Sequence, residues 1–460
     1  MLSASLQVNL SAGTAQLQQR KSYMYMYQKV NGVRLMCSLC CLSKAPNLSV
    51  INEVHAAQHF FSAMSRALAL AACMLSSAEA FSVVPRAPAA STATSSAFAL
   101  ARPRQAASAP AATARSRLEE LEMVVKPLKI GIVGVTGAVG KEIIDVLGNR
   151  KFPVSELRLF ASARSAGQSM KTPFGDKKVE EFSLAASREC DVVFLAVSGD
   201  FALEWVPQIT ANNGPLVIDN SSAFRYDKDV PLIVPEINID AAKKSKSRLI
   251  ANPNCTTAIA LMALKPLHDA FGIKRAIIST YQAASGAGAE GMAELQEGSA
   301  AMANGKEAVN KVFAHRLPFN LIPHIDKFLE DGYTKEERKV TWETRKIMDL
   351  PDLPVSCTSV RIPTLRAHAE SITIETERKI DMALAYKVLG NFPGLKLTDD
   401  VKNNVYPMPL TASTKYDVEV GRVRKNDVFG EYGLDLFVCG DQLLRGAALN
   451  AVIIAEEMFP

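Results

Sequence analysis

"LKIGIVGVTGAVGKEIIDVL", residues 128–147, decides the fold. A short apolar run opens it, a glycine turn follows, and an amphipathic helical pattern closes it. Gly134, Gly137 and Gly140 have separate tasks. The first lets the chain turn tightly, the second lets backbone approach a pyrophosphate, and the third lets helix pack closely on strand. The free N–H groups at the start of such a helix are donors for phosphate oxygens. The spacing is G-x-x-G-x-x-G rather than G-x-G-x-x-G, so the flanking strand and helix carry the reading as much as the glycines do. Gly134, Thr136, Gly137, Ala138 and Val139 are expected at a dinucleotide.

The segments that follow repeat the strand-then-helix pattern. "SELRLFASARSAGQ" (155–168) is a strand with no acid at its end, where a ribose without a 2'-phosphate is usually held. Ser162, Arg164 and Ser165 stand there instead, and a guanidinium with hydroxyls suits a 2'-phosphate. The cofactor expected is NADP(H). "CDVVFLAVSGDFALEWVP" (190–207) is a buried strand and a helix with Ser198 and Gly199 at the junction. "GPLVIDNSSAFRYD" (214–227) ends a further strand in Asn220, and Arg225 lies just beyond. Open parallel sheets bind ligands outside the carboxyl ends of their strands. The expected fold is α/β, with a Rossmann-like NADP-binding domain over 127–255.

The texture then changes. "FGIKRAIISTYQAASGAGAEGMAELQ" (271–296) reads as a strand and a glycine-rich turn. Charged amphipathic material runs on to about Lys346, and "SVRIPTLRAHAESITIET" (359–376) alternates in the sheet manner. A second α+β domain is expected over 256–438, with 439–460 as a C-terminal helix packing back on the first domain.

Residues 1–126 read as a leader. "MSRALALAACMLSSAEA" (64–80) has one arginine, a short apolar run and a small-residue end, the shape of a signal peptide. The next stretch is rich in Ala, Ser, Pro and Arg and poor in acid, as transit segments are. It is too poor in large apolar residues to build a core, and is expected to be disordered if retained. In series the two resemble the bipartite plastid presequences of algae with secondary plastids, including Phe81 after the cleavage point. A plastid location is expected, or a cytoplasmic one if the leader is not functional.

Composition excludes other classes. The chain has 460 residues, 48% hydrophobic and 22% charged, enough for two or more cores. The net charge of +5 is mild and lies partly in the leader, so it does not point to nucleic acid. No run reaches the roughly 18 apolar residues of a membrane span. Of eight cysteines, only Cys190, Cys255, Cys357 and Cys439 fall in the body, too far apart for a disulfide framework. "CSLCC" (37–41) has no matching pair at zinc-finger spacing, so no metal is expected.

"ANPNCTTAIALMALKPL" (251–267) places Cys255 between an Asn-Pro-Asn turn and an apolar helix. These residues alone leave open a nucleophile or a buried thiol. A helix N-terminus would favour its thiolate.

Together, "GIVGVTGAVG", "ASARSAG", "VIDNSSAFR", "VPEIN", "NPNCTT", "STYQAASGAG", "NLIPHID", "VRIPTLRAHAES" and "GAALNAV" make the chain resemble the aspartate-semialdehyde dehydrogenases over nearly all of 128–460. The resemblance implies NADPH-dependent reductive dephosphorylation of L-4-aspartyl phosphate to aspartate semialdehyde and phosphate. That step leads toward lysine, threonine, methionine and isoleucine. It also implies that the second domain is both catalytic and dimerising, in a homodimer or homotetramer.

Residue by residue, the resemblance implies Cys255 as nucleophile, His368 as its proton partner and Gln282 as the amide orienting the acyl group. Arg361 would grip the α-carboxylate, Glu336 the ammonium, and Arg225 and Lys339 the phosphate. Ser285, Gly286 and Gln442 would join the cofactor contacts. Two departures stand out: Asp200, expected to face solvent, and the residues Gln442, Leu444 and Arg445 before Gly446. An N-acetyl-glutamyl-phosphate reductase shares the cysteine and histidine, but its acylated amine needs no acid such as Glu336. A non-catalytic dinucleotide sensor would need only the first motif.

Overall fold

The computed structural model describes residues 126–460, and, as backbone only, Ser22–Val30 and Val33–Cys41. Those two strands pair antiparallel, Ser22 opposite Cys41 through Val30 opposite Val33, in a stretch the sequence reading left without elements. The signal-like and transit-like segments lie outside the described residues.

Residues 126–460 hold two sheets. The first has seven strands: β1 (Leu128–Val133), β2 (Val154–Ala161), β3 (Ser169–Thr172), β4 (Gly175–Glu181), β5 (Val192–Leu195), β6 (Leu216–Asp219) and β7 (Leu249–Ala251). Their order is β3-β4-β2-β1-β5-β6-β7, parallel apart from the β3–β4 pair. β5, β6 and β7 are buried at every residue, as strands covered on both faces must be. The helices include α1 (Ala138–Asn149), α2 (Leu184–Arg188), α3 (Gly199–Thr210) and α4 (Pro235–Lys244). On α1, Ile143, Ile144, Val146 and Leu147 face the core.

Helix α5 (Cys255–Phe271) joins the two sheets, and twelve of its residues are buried, so it reads as apolar almost all round. The second sheet runs β9-β8-β10-β13-β12-β11, built from β8 (Ile273–Gln282), β9 (Val355–Arg361), β10 (His368–Thr376), β11 (Leu395–Leu397), β12 (Val418–Lys425) and β13 (Gly433–Gly440). β10 alternates: His368, Glu370, Ile372 and Ile374 are buried, while Ser371, Thr373 and Glu375 are partly exposed. Helix α6 (Gly288–Ala303) follows β8, and α7 (Lys335–Ile347) precedes β9. The chain ends in α8 (Met382–Asn391), α9 (Pro409–Ala412) and α10 (Leu449–Met458). From α10, Leu449, Val452, Ile454 and Ala455 enter one core cluster with Ile130, Ile143 and Leu147.

Helix α7 carries the charged stretch "TKEERKVTWETRK" (334–346), yet Glu336, Glu337 and Glu343 are buried. Thr334 and Glu337 form a reciprocal capping box at its start, and Glu337 also accepts from the Ser359 backbone N–H at 2.9 Å.

Candidate active site

The dinucleotide edge is made of backbone. Gly134 has φ +86°, and a Cβ there would sit 2.3 Å from the Ala196 carbonyl oxygen. At Gly140 a Cβ would lie 2.5 Å from the Gly134 carbonyl oxygen. No side chain larger than hydrogen fits either place. Gly137 opens α1 with no side-chain cap, leaving first-turn N–H groups to an anion. Thr136, Ala138 and Val139 flank that turn. Ser198 is committed locally, its Oγ capping α3 through Phe201 N at 3.4 Å, with Gly199 as the first helical residue. Asp200, beside it, is exposed. Ser162 and Arg164 are exposed in the turn after β2, and Ser165 is buried. A glycine cradle, a free helix start and an exposed arginine fit a phosphorylated dinucleotide.

A cavity of about 630 Å³ opens where the two sheets meet. Val139 and Asn220 reach it from the nucleotide side, and Arg225, Cys255, Gln282, Glu336, Lys339 and Arg361 line the rest. Ser285, Gly286 and Gln442 also face it. Here Gln442 is tied down: its amide donates to Ser285 Oγ, and its Oε1 accepts from Ala367 N at 2.8 Å. Arg445, from the same departure, is buried against Glu236 at 2.7 Å.

The cavity's charges are mostly matched. Arg225 pairs with buried Glu343 at 3.0 Å and also donates to the carbonyls of Asn252 and Asn220, each at 2.8 Å. Lys339 is shared by Asp326 at 2.8 Å and Glu336 at 3.1 Å. Glu336 Oε1 accepts from Asn254 Nδ2 at 2.8 Å and Gln282 Nε2 at 3.1 Å. Burial pushes the Glu336 carboxyl up, but Lys339 and the hydrogen bonds from Asn254 and Gln282 outweigh it and hold it below its ordinary value. Arg361 is different: its guanidinium donates to the Ala283 carbonyl at 2.6 Å and lies 5.8 Å from the Phe313 ring centroid, with no carboxylate on it.

Cys255 is the first residue of α5, half-buried at the cavity wall. The helix start was expected to favour its thiolate. Burial instead pushes the thiol up to about 11, with Glu336 adding to the rise and Arg225, Thr256 and Arg361 opposing it. Desolvation of the anion outweighs the cations, of which Arg225 is already paired with Glu343. His368 stands behind the cavity wall and is fully buried. Its Nδ1 accepts from Ala283 N at 3.1 Å, so the proton of the neutral ring sits on Nε2, which has no protein partner. Burial, then Arg361, drives this imidazole down to about 3.

Several residues escaped the sequence reading. Asn254 caps α5, its Oδ1 accepting from Thr256 N at 3.0 Å and Thr257 N at 3.2 Å, and its position before the helix was the available signal. Glu343 follows Glu336 by two helical turns on one face. Asp326 and His324 reach the cavity from "NLIPHID". Gly446 abuts the nucleophile: a Cβ there would lie 2.5 Å from Cys255 Cβ. Of the other histidines, His315 is exposed, and His268 accepts from Ile273 N at 3.0 Å as part of a helix end. Among the described residues no group of His, Cys, Asp or Glu could hold a metal ion, and no helix is long and apolar enough to cross a membrane.

Residues 129–245 match the semialdehyde dehydrogenase NAD-binding domain, and 264–445 the semialdehyde dehydrogenase dimerisation domain. The aspartate-semialdehyde dehydrogenase of Aquifex aeolicus is 47% identical over 331 residues, covering 71% of this chain and 97% of that protein. The chain belongs to the aspartate-semialdehyde dehydrogenase family. The Synechocystis enzyme of that name is 42% identical over 330 residues, covering 72% of this chain and 97% of the relative. Among solved structures, aspartate semialdehyde dehydrogenase II of Vibrio cholerae, complexed with ASA, superposes with a TM-score of 0.69 at 40% identity. That match covers 72% of this chain and 98% of the Vibrio chain. Membership of the family makes this an NADP-dependent oxidoreductase with a Rossmann-like domain and a separate α+β domain.

Proposed function

We propose a division of labour within the family's reaction, which this chain catalyses: reductive dephosphorylation of L-4-aspartyl phosphate to L-aspartate 4-semialdehyde and phosphate. The observation that carries it is one cavity holding Cys255 at a helix start, an unpaired Arg361 and a carboxylate, Glu336. Cys255 Sγ attacks the acyl carbon. The C–O bond to phosphate breaks, and the thiol proton leaves with phosphate as the hydrogen phosphate ion. A thioester on Cys255 remains. NADPH, when bound, supplies the hydride that reduces this thioester. Loss of the aldehyde then returns the sulfur, which regains a proton.

His368, expected as the proton partner of Cys255, has its one lone pair taken by Ala283 N–H and offers a donor instead, Nε2–H, for the oxygen that becomes anionic during both steps. Gln282 Oε1 takes the Thr280 hydroxyl at 3.0 Å, and Nε2 meets Glu336, so the amide has one fixed orientation beside the acyl group. Arg361 holds the α-carboxylate in a planar fork. Glu336 takes the ammonium. Arg225 and Lys339 keep free N–H groups for phosphate, although each is already paired with acid. Gly134, Thr136, Gly137, Ala138 and Val139 cradle the pyrophosphate, and Ser162, Arg164 and Ser165 the 2'-phosphate. Ser198, Gly199, Asn220, Ser285, Gly286 and Gln442 complete the cofactor side.

Exposed Phe319, Leu321 and Phe328, together with Ile277 on the outer side of the second sheet, support burial against a second copy, measurable by light scattering. The small, basic, acid-poor composition before residue 126 supports import into a plastid. A fluorescent fusion of residues 1–126 that stays in the cytosol would refute it.

The test of the chemistry is mass spectrometry of the intact protein with aspartyl phosphate and no NADPH. An acyl adduct is expected on wild type and not on Cys255→Ala. Turnover retained in Cys255→Ala would refute the nucleophile.

A further inference from the structure

Helix α7 presents one stripe to the cleft: Glu336, Lys339, Glu343 and Lys346. The first two belong to the site already described. The other two do not touch substrate space but reach its supports. Glu343 has no solvent exposure. Its Oε2 accepts from the Asn254 backbone N–H at 2.5 Å, and its Oε1 from Arg225 Nη1 at 3.0 Å and Tyr226 OH at 3.5 Å. Lys346, almost one turn on, donates to the carbonyls of Arg225 at 2.9 Å, Asp227 at 2.6 Å and Val230 at 2.8 Å. Asn254 has no remaining freedom: its N–H meets Glu343, its Oδ1 caps α5, and its Nδ2 meets Glu336.

We infer that Glu343 is a positioning residue that aligns Cys255 and Arg225 together, one carboxylate oxygen holding the residue before the nucleophile and the other holding the guanidinium. This rests on the reading of Arg225 as a phosphate contact. Both oxygens reach across from the second domain to the first, since Arg225 follows β6 and Asn254 follows β7 of the first sheet while α7 precedes β9 of the second. Only a carboxylate serves both, because both neighbours are donors. An amide has one acceptor and one donor end. In Glu343→Gln, therefore, one contact survives and the other becomes donor against donor. Neutralising Glu343 also leaves Arg225 unbalanced next to Cys255. The charged groups acting on that sulfur are Arg225 from the loop after β6, Glu336 from α7 and Arg361 from β9; Lys339 and Asp326 line the same cavity.

The experiment uses the full chain in the reverse direction, with aldehyde and inorganic phosphate varied separately, and measures alkylation of Cys255 by iodoacetamide against pH. Glu343→Gln is expected to raise the KM for phosphate at least tenfold, to leave the KM for the aldehyde within about twofold, and to move the alkylation midpoint to lower pH. Glu343→Asp keeps the charge but shortens the reach. It is expected to raise the phosphate KM while holding the alkylation midpoint at the wild-type value. Unchanged NADPH affinity in both variants shows an intact fold, and loss of it in both would overturn the inference in favour of a purely structural role. If Arg225→Lys raises the phosphate KM and Glu343→Gln does not, the positioning role is wrong and the phosphate reading stands. If Arg225→Lys leaves the phosphate KM unchanged, the phosphate reading itself is wrong. In that case, an alkylation midpoint that still shifts in Glu343→Gln keeps the hold on Cys255, and an unshifted one removes it.

Discussion

The nucleotide edge and the acyl cavity are held in different ways. At Gly134 and Gly140 the contacts are backbone against backbone, and the shape follows from a tight turn that tolerates no Cβ. In the cavity the contacts run side chain to side chain across long sequence distances: Asn254 to Glu336, Arg225 to Glu343, Lys339 to Asp326. A backbone cradle is rigid and indifferent to most neighbours. A network of buried charges works only when every partner is present, because removing one leaves another unpaired in a low dielectric.

That contrast can be broken at its rigid side first. Gly134→Ala places a methyl 2.3 Å from the Ala196 carbonyl oxygen at φ +86°. The backbone conformation alone costs about 1–3 kcal/mol for a non-glycine residue. The turn is expected to move, and NADPH affinity to fall by more than a hundredfold. Calorimetric titration checks this, and near-normal binding would mean the cradle is softer than its contacts.

On the network side, Arg361→Lys keeps a charge but loses the planar fork. Loss of a charge-assisted hydrogen bond corresponds to about 1.5–3 kcal/mol, or roughly ten- to a hundredfold. The KM for the aldehyde is expected to rise by that factor while that for phosphate stays put. Equal changes in both would remove the distinction between Arg361 and the paired cations.

Arg164→Ala sharpens the comparison on the nucleotide side, where one side chain supplements the backbone. Only NADPH carries the lost partner, so its affinity is expected to fall about tenfold while NADH is unaffected. Fluorescence titration with both cofactors decides it.

An effect on stability rather than on affinity concerns Glu370, two residues from His368 on the same buried face of β10. Neither carboxylate oxygen has a protein partner, and burial lifts this carboxyl well above its ordinary value. A folded-state value above the unfolded one means that the group favours folding at low pH and loses that contribution as pH rises toward the folded value. The cost is about 1.4 kcal/mol per pH unit across that window. Glu370→Gln removes the titration, so its stability relative to wild type is expected to increase from pH 5 to pH 8 in urea unfolding. A constant difference would show that Glu370 does not titrate on folding.

Sequence alone was enough for what depends on local pattern. The strand, glycine turn and helix at 128–147 fix the first sheet, because glycine spacing and apolar runs act through neighbours a few residues away. The resemblance carried by short motifs brought Cys255, Gln282, Glu336, Lys339 and Arg361 forward, and all five line one cavity. Tertiary structure decided the charge states. The Cys255 thiol is pushed up although it begins a helix, because burial and the Glu336 carboxylate outweigh Arg225, which Glu343 already pairs, and Arg361. Glu343 looks like one more charge on a solvated helix until Asn254 and Arg225, 89 and 118 residues away in the chain, are folded onto it. Ionisation answers to burial and to every partner within a few ångströms, and those partners come from distant segments that no local pattern connects.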